Sequence, residues 1–506
     1  LNDYVVKYDD YIDILPASTD PRDFNKINNS LINIVLEKAS FIYDVILIDM
    51  THILNEINVF ALDFCDMAII VTTNCPMDLK NTKNLVTLFD NLNINKYRIL
   101  LNESVNPLKQ YFSLYDIKSI IKANIDYHIS NEFYITDMEK DRQYMKMALE
   151  LAQKGMGFTA PNPMVGAVIV KRGKVIGQGY HRKYGELHAE REALASCTEQ
   201  PEGASIYVTL EPCCHYGKQP PCVNAILESG IRRVIIGSPD PNPLVSGKGI
   251  RILKEHGIEV TENVLKEECD KLNEAFFYYI QNQKPYVVMK YAMTMDGKIA
   301  TYTGASRWVT GEAARMHVQK QRLKYTGIMA GVGTVLADDP MLTCRLENGR
   351  NPVRIICDSH LRTPLNSRIV KTASTIPTIL ATSSKDQQKI KNYEDMGCKV
   401  LDVPEKNGHI DLNRLMELLG AAKIDSILLE GGGTLNWSAL ESGIVQKVQT
   451  YIAPKLFGGE SAKTPIEGKG FPDPASAILL KNSEIIRIGD DFLIESEVKS
   501  NVHGNC

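Results

Sequence analysis

Not one of the 34 glycines in this chain of 506 residues lies before Gly155. That excludes a phosphate-cradling loop from the first quarter of the sequence, because such a loop needs glycines whose backbone can approach an anion. A membrane-spanning run is also missing. The longest apolar stretch, Met67 to Met77, is 11 uncharged residues beside Asp63 and Asp66, too short for a bilayer. No basic region precedes an apolar segment, so no signal peptide is expected. The eleven cysteines are odd in number and lack framework-like spacing, which suits a reducing cytosol better than a disulfide scaffold. A net charge of −4 gives no reason to expect a polyanion-binding surface. The chain opens on Leu1 instead of methionine, so the natural N-terminus is expected further upstream.

What is present is a hydrophobic content of 44% and a charged content of 23%, values of a globular chain long enough for three domains. Composition breaks near residue 137. Residues 1–137 hold 17 asparagines and a net charge of −8, whereas residues 138–506 carry +4. Such a shift marks a join between unlike segments. Met138 stands at the join and opens a helical pattern through Tyr144, Met147, Ala148 and Leu151. In the first segment, Tyr43–Asp49, Met67–Thr72 and Arg98–Asn102 read as buried strands alternating with helices, which predicts a partial α/β sheet. Their order resembles the second half of a ParA/MinD-type ATPase, with Asp49 as the acid ending a strand and Asn102 on the adenine side. Without a P-loop, the segment reads as a relic, a fusion or an inert appendage.

Further on, His188-Ala189-Glu190 is followed by Pro212-Cys213 and Cys222. One imidazole and two thiolates are what a catalytic zinc site needs when water takes the fourth position. In zinc deaminases the Glu of His-x-Glu moves protons without binding the metal. Eight residues separate Cys213 from Cys222 here, where the usual motif has two. Ala167–Val170 and Val175–Tyr180 read as a hairpin around Lys171-Arg172-Gly173-Lys174, and Ser205–Thr209 as another strand. His188 and Glu190 fall near one helix start, and Pro220-Pro221-Cys222 opens another. A structural zinc site, or a chance cluster around a buried histidine, is the bland alternative. Cys214 competes with Cys213.

After a short polar linker, Gln281 to Pro285, come a strand at Tyr286–Tyr291 and the turn Met295-Asp296-Gly297-Lys298. Ser306-Arg307-Trp308-Val309-Thr310, Gly331 to Pro340, and a strand over Ile424–Glu430 leading into Gly431-Gly432-Gly433-Thr434-Leu435 follow. A glycine turn between strand and helix aims backbone N–H groups at a pyrophosphate, although it is neither a P-loop nor a G-x-G-x-x-G fingerprint.

The long spacing between the cysteines, together with these later motifs in their order, resembles the bifunctional riboflavin-biosynthesis deaminase–reductase family. The resemblance covers residues 138 to about 497. It implies a cytidine-deaminase-like three-layer α/β domain at 138–282 and a dihydrofolate-reductase-like domain at 285–497; the final residues, 498–506, are expected to form a loose tail. It implies Zn²⁺ on His188, Cys213 and Cys222, with Cys213 favoured because the family's first ligand directly follows proline, and Glu190 as the catalytic acid–base. It implies a pyrimidine ribosyl phosphate near Asn162, His181, Lys218, Asp240 and Asn242. In the second domain it implies NADPH near Met293, Trp308, Thr334, Asp338, Gly432, Gly433, Thr434, Leu435, Asn436, Trp437 and Ser438. The substrate would meet Lys290, Ser306, Arg322, Leu342, Arg345 and Glu430. For Trp308, core packing is the competing role. Hydrolysis of the 2-amino group of 2,5-diamino-6-(phosphoribosylamino)pyrimidin-4-one, then hydride transfer from NADPH to the ribosyl group, is the implied activity. A cytoplasmic homo-oligomer that binds neither nucleic acid nor membrane is expected. Two other readings remain. A nucleic-acid or nucleoside deaminase would use the same metal set, and a binding protein could carry the ATPase-like segment for docking.

Overall fold

A computed structural model describes residues 5–7, 12–16, 27–51, 55–103, 112–129, 137–216, 219–242 and 245–499. The chain divides into two compact units, Leu1–Glu139 and Lys140–Cys506. Among the described residues, no helix is long and apolar enough to cross a membrane.

The first unit holds a parallel three-stranded sheet, Ala68–Thr73, Tyr97–Asn102 and Tyr127–Ile129 in that order. Leu79, Val86 and Phe89 of the helix Pro76–Asn91 pack with Ile99, Leu101, Ile117 and Ile121 in its core. The strand expected over Tyr43–Asp49 does not form, and Leu47 is 87% exposed. An apolar run becomes a strand only where a neighbour takes its backbone hydrogen bonds, and this run pairs with none among the described residues. Asp49 therefore ends no strand, whereas Asn102 closes its own.

The second unit begins with a five-stranded sheet ordered Glu259–Thr261, Arg233–Ser238, Ser205–Leu210, Gly166–Lys171, Lys174–Tyr180. The first three strands run parallel, and the last two form the expected antiparallel hairpin. Alternate residues face opposite sides. Ala167 and Ile169 pack with the helices Ala189–Ala195, Cys222–Glu228 and Lys248–Glu255, while Val168 and Val170 meet Met145 and Ala148 of Asp137–Gln153 and Cys269 of Lys266–Leu272. The result is three layers around one sheet.

A nine-stranded sheet follows, ordered Lys399–Asp402, Thr378–Thr382, Val353–Cys357, Gly327–Gly331, Ser426–Leu429, Tyr286–Thr294, Lys447–Ala453, Asp491–Val498, Leu480–Ile488. Seven strands are parallel, and the last two are antiparallel additions. Val287 and Met289 enter one core, Tyr286 and Val288 the other.

Two boundaries differ from expectation. Gln281 and Asn282 belong to the helix Glu274–Asn282, which ends at Gln283 in a left-handed conformation, so only Gln283, Lys284 and Pro285 connect the sheets. Polarity alone does not distinguish a linker from the exposed last turn of a helix. The final strand reaches Val498, and Lys499 still donates its backbone N–H to Leu479. The other residues of the expected tail, 500–506, lie outside the described residues.

Candidate active site

His188 caps the helix Ala189–Ala195, and Cys222 is the first residue of Cys222–Glu228, with Pro221 at its cap. Cys213 lies just beyond the strand Ser205–Leu210. These elements bring three ligand atoms within 4.8 Å of one another. His188 Nδ1 stands 3.5 Å from Cys213 Sγ and 3.4 Å from Cys222 Sγ. With Zn–S bonds of about 2.3 Å and Zn–N bonds of about 2.0 Å, tetrahedral ligands stand about 3.5 Å apart. The residues therefore fit a zinc ion. A hydrogen bond from the Cys222 thiol, with help from its backbone N–H and from His188, draws Cys213 down to about 4. Cys222, buried and facing that sulfur, is pushed up, and a divalent cation would displace its proton. Cys214 is not in the ligand set. It packs against the apolar core that holds Ala189 and Val223.

Glu190 is only 3% exposed. Burial, with the Cys213 charge nearby, lifts its carboxyl to about 6, and it hydrogen-bonds the Cys222 thiol. His188, Glu190 and Cys213 line a cavity of about 400 Å³, together with Asn162, His181, Asp240 and Asn242. His181 donates from Nδ1 to the Leu187 carbonyl at 2.9 Å and accepts at Nε2 from the Asn162 amide at 3.2 Å. Burial lowers its pKa, so the ring is neutral. Burial also raises Asp240 to about 6, and its carboxylate accepts from the Asn242 backbone. Lys218 lies outside the described residues.

Glu211 is a residue that the sequence reading missed. Its buried carboxylate accepts from the backbone N–H groups of Asp240, Gly247, Gly249 and Ile250, at 3.4, 3.0, 3.1 and 3.3 Å. It thereby fixes the loop carrying Asp240 and Asn242 against Cys213. Gly249 is required there, since a Cβ would come 2.4 Å from the Pro212 carbonyl oxygen. Only the adjacency of Glu211 to Pro212-Cys213 hinted at this.

A second cavity, about 380 Å³, opens beyond the carboxyl ends of the paired parallel strands that finish at Gly331, Cys357 and Leu429. Ligands of parallel sheets bind beyond these carboxyl ends. Thr334, Asp338, Gly432, Gly433, Thr434, Leu435, Ser438 and Ser306 line it, and the helix Gly433–Glu441 starts there with Gly432 as its cap. Ser359, Arg362 and Lys463 line it too, though no motif drew attention to them.

Four residues expected near the cofactor do not line this cavity. Met293 sits on the strand paired with Ile452, and Trp437 packs edge-on to Phe471. Asn436 is fully buried, donating to the Pro465 carbonyl while its own oxygen has no partner among the described residues. Trp308 is 58% exposed, with Arg315 over its ring at 4.6 Å, so core packing is not its role.

Behind the cavity, Arg322 grips Glu430 with both ends of its fork, at 2.7 and 3.0 Å, and gives a third hydrogen bond to the Thr343 carbonyl. Lys290 approaches the same carboxylate at 3.5 Å. Burial alone would raise the Glu430 pKa, but the two cations outweigh it and hold it at about 2. Leu342 is buried in the apolar core, leaving its main chain for any ligand, and Arg345 is exposed.

Two family descriptions match the chain: "Cytidine and deoxycytidylate deaminase zinc-binding region" over residues 138–238 and "RibD C-terminal domain" over 285–494. Riboflavin biosynthesis protein RibD of Actinobacillus pleuropneumoniae is 54% identical over 360 residues, 71% of this chain and 96% of that protein. Its Escherichia coli counterpart is 39% identical, over 70% of this chain and 98% of its own length. Among solved structures, a diaminohydroxyphosphoribosylaminopyrimidine deaminase/5-amino-6-(5-phosphoribosylamino)uracil reductase from Thermotoga maritima is 37% identical. It matches with a TM-score of 0.64, over 72% of this chain and 100% of that one.

Proposed function

Because this chain belongs to the bifunctional riboflavin-biosynthesis deaminase–reductase family, we propose that its two cavities divide the family's two reactions. It is a zinc-dependent deaminase and an NADPH-dependent reductase of riboflavin biosynthesis. The deaminase substrate is 2,5-diamino-6-(5-phosphoribosylamino)pyrimidin-4(3H)-one, whose deaminated product is then reduced from ribosyl to ribityl. Residues 138–282 carry the first reaction and 285–497 the second.

His188, Cys213 and Cys222 hold the zinc. The metal supplies the Lewis acidity that makes a water nucleophilic near neutral pH. Glu190 takes the proton of that water and delivers it to the departing amine, a role suited to a carboxyl near 6. Asn162 and His181 present a fixed hydrogen-bonding edge to the pyrimidine, and Asp240 and Asn242 close the opposite wall. In the second cavity the N–H groups at Gly432 and Gly433 would hold the cofactor pyrophosphate, with Thr334, Asp338 and Ser438 lining the same cavity. NADPH supplies the hydride. Lys290 and Glu430 face the sugar, Arg322 holds Glu430 in place, and the exposed Arg345 takes the phosphate, because its fork matches the phosphate oxygens.

The protein works in the cytoplasm as a homo-oligomer, on small molecules and without nucleic acid or membrane. The net charge of −4 supports the lack of a polyanion surface. Exposed Leu480, Ile485 and Ile486 on the edge strand Leu480–Ile488 support self-association.

The observation that carries this reading is the convergence of His188, Cys213 and Cys222 beside buried Glu190. Mass spectrometry of the pyrimidine substrate, with and without NADPH, tests it. Amine loss alone without NADPH, and further reduction with it, is the expected result. 1,10-Phenanthroline should stop the first reaction and spare reduction of the pre-deaminated compound. No change in either tube would overturn the reading.

A further inference from the structure

The deaminase cavity is acidic. Glu186, Glu190, Glu211 and Asp240 all line it, yet the proposed substrate carries a phosphate. One described lining residue bears a permanent positive charge, and it comes from the other half of the enzyme: Lys423. Lys423 follows the helix Leu412–Ala421, which packs on the nine-stranded sheet, and lies 201 positions beyond Cys222, the last of the metal ligands.

Its mounting is rigid. The backbone of Lys423 is left-handed, at φ 62°, and its N–H returns to the Gly420 carbonyl. That carbonyl also accepts from the buried Tyr279 hydroxyl at 3.0 Å. Gly420 lies so close to the preceding helix end that a Cβ would come 2.1 Å from the Gln283 carbonyl oxygen. Tyr279, with Phe276 and Ile280, forms the apolar wall of the same cavity. A lysine after a helix C-terminus ordinarily bonds the last carbonyls or a nearby acid. The Lys423 ammonium takes no hydrogen bond or ion pair among the described residues, and its side chain is exposed at the cavity rim.

We infer that Lys423 of the reductase half is a substrate-binding residue of the deaminase, pairing with the ribose phosphate while the pyrimidine faces Glu190. This rests on the proposed phosphorylated substrate. The wall carrying Lys423 also ties the deaminase's specificity to the presence of the reductase half.

The test is steady-state deamination by the full-length zinc enzyme and its Lys423→Gln, Lys423→Glu and Lys423→Arg variants. Each is assayed on the ribosyl phosphate and on its dephosphorylated riboside. For Lys423→Gln the KM for the phosphate form should rise roughly tenfold, the scale of one charge-assisted hydrogen bond. The Glu variant should be worse, Arg should recover most of the loss, and kcat should stay within about twofold. The riboside KM and the reduction step should not change. An unchanged KM for the phosphate form, or an equal loss on the riboside, would overturn the assignment. A wild-type enzyme that deaminates neither compound would remove the functional reading itself, and this inference with it.

Discussion

The two cavities are built by different means. The first is made of side chains: one imidazole, two cysteine sulfurs and a buried carboxyl, brought together by two helix starts and a strand end. The second is made largely of main chain, where glycine turns leave room at the ends of parallel strands. A side-chain site concentrates its function in a few irreplaceable atoms. A main-chain site spreads it over N–H groups that many sequences could provide, and protects it by what is left out.

Glu190→Gln should break the first cavity most severely. Deamination should fall by about a thousandfold, the usual scale for losing a general acid–base. Zinc content, measured by elemental analysis, should stay at one equivalent per chain, and reduction of the pre-deaminated compound should persist. Loss of the metal together with the activity would mean that Glu190 is structural.

Glu430 is the charged side chain of the second site that two neighbouring cations hold in place. Its folded pKa of about 2 lies below its ordinary 4.5. It therefore contributes stability that is complete above pH 4.5 and disappears as pH falls toward 2. The difference is about 3 kcal/mol at most. Acid unfolding followed by circular dichroism should show this loss in the wild type, and Glu430→Gln should flatten it. An equally steep acid transition in the variant would place the sensitivity elsewhere.

The smallest expected effect is the most diagnostic of main-chain binding. At Gly432 an added Cβ meets no protein atom within 4 Å, and the backbone angles are ordinary. Gly432→Ala should leave melting temperature and deamination unchanged but weaken NADPH binding by roughly tenfold, through a clash worth one to two kcal/mol. Titration of NADPH fluorescence would read it. Unaltered affinity would move the cofactor away from this turn.

The same contrast explains what the sequence disclosed. His188, Glu190, Cys213 and Cys222 were legible because their chemistry is carried by residue type and order. The hairpin and five of the parallel strands were legible from alternation and apolar runs. Glu211 was not, because its partners are backbone groups 29 to 39 residues away that no motif records. Ser359 and Arg362 escaped notice for a related reason: only the sheet order puts the strand Val353–Cys357 next to Gly327–Gly331, at the same end of the sheet as the glycine turn. Arg354 looks like a surface residue in sequence. It is fully buried, and its guanidinium is satisfied by Thr372, Thr378 and the carbonyls of Ile369 and Ile376. The run Tyr43–Asp49 misled in the opposite direction, since hydrophobicity says that a strand could be buried but not that a neighbour exists to pair with it.

The three residues Gln283, Lys284 and Pro285 have a consequence for the history and engineering of such enzymes. A joint this short, with Gly420 wedged against the Gln283 carbonyl, offers no slack for a new sequence to be spliced in. Gene rearrangement could append or remove material at the chain's outer ends far more easily than between its two catalysts. Anyone wishing to produce the halves as separate proteins would have to rebuild both surfaces along the seam, beginning with the backbone contact between Gly420 and Gln283 that leaves no room for a Cβ.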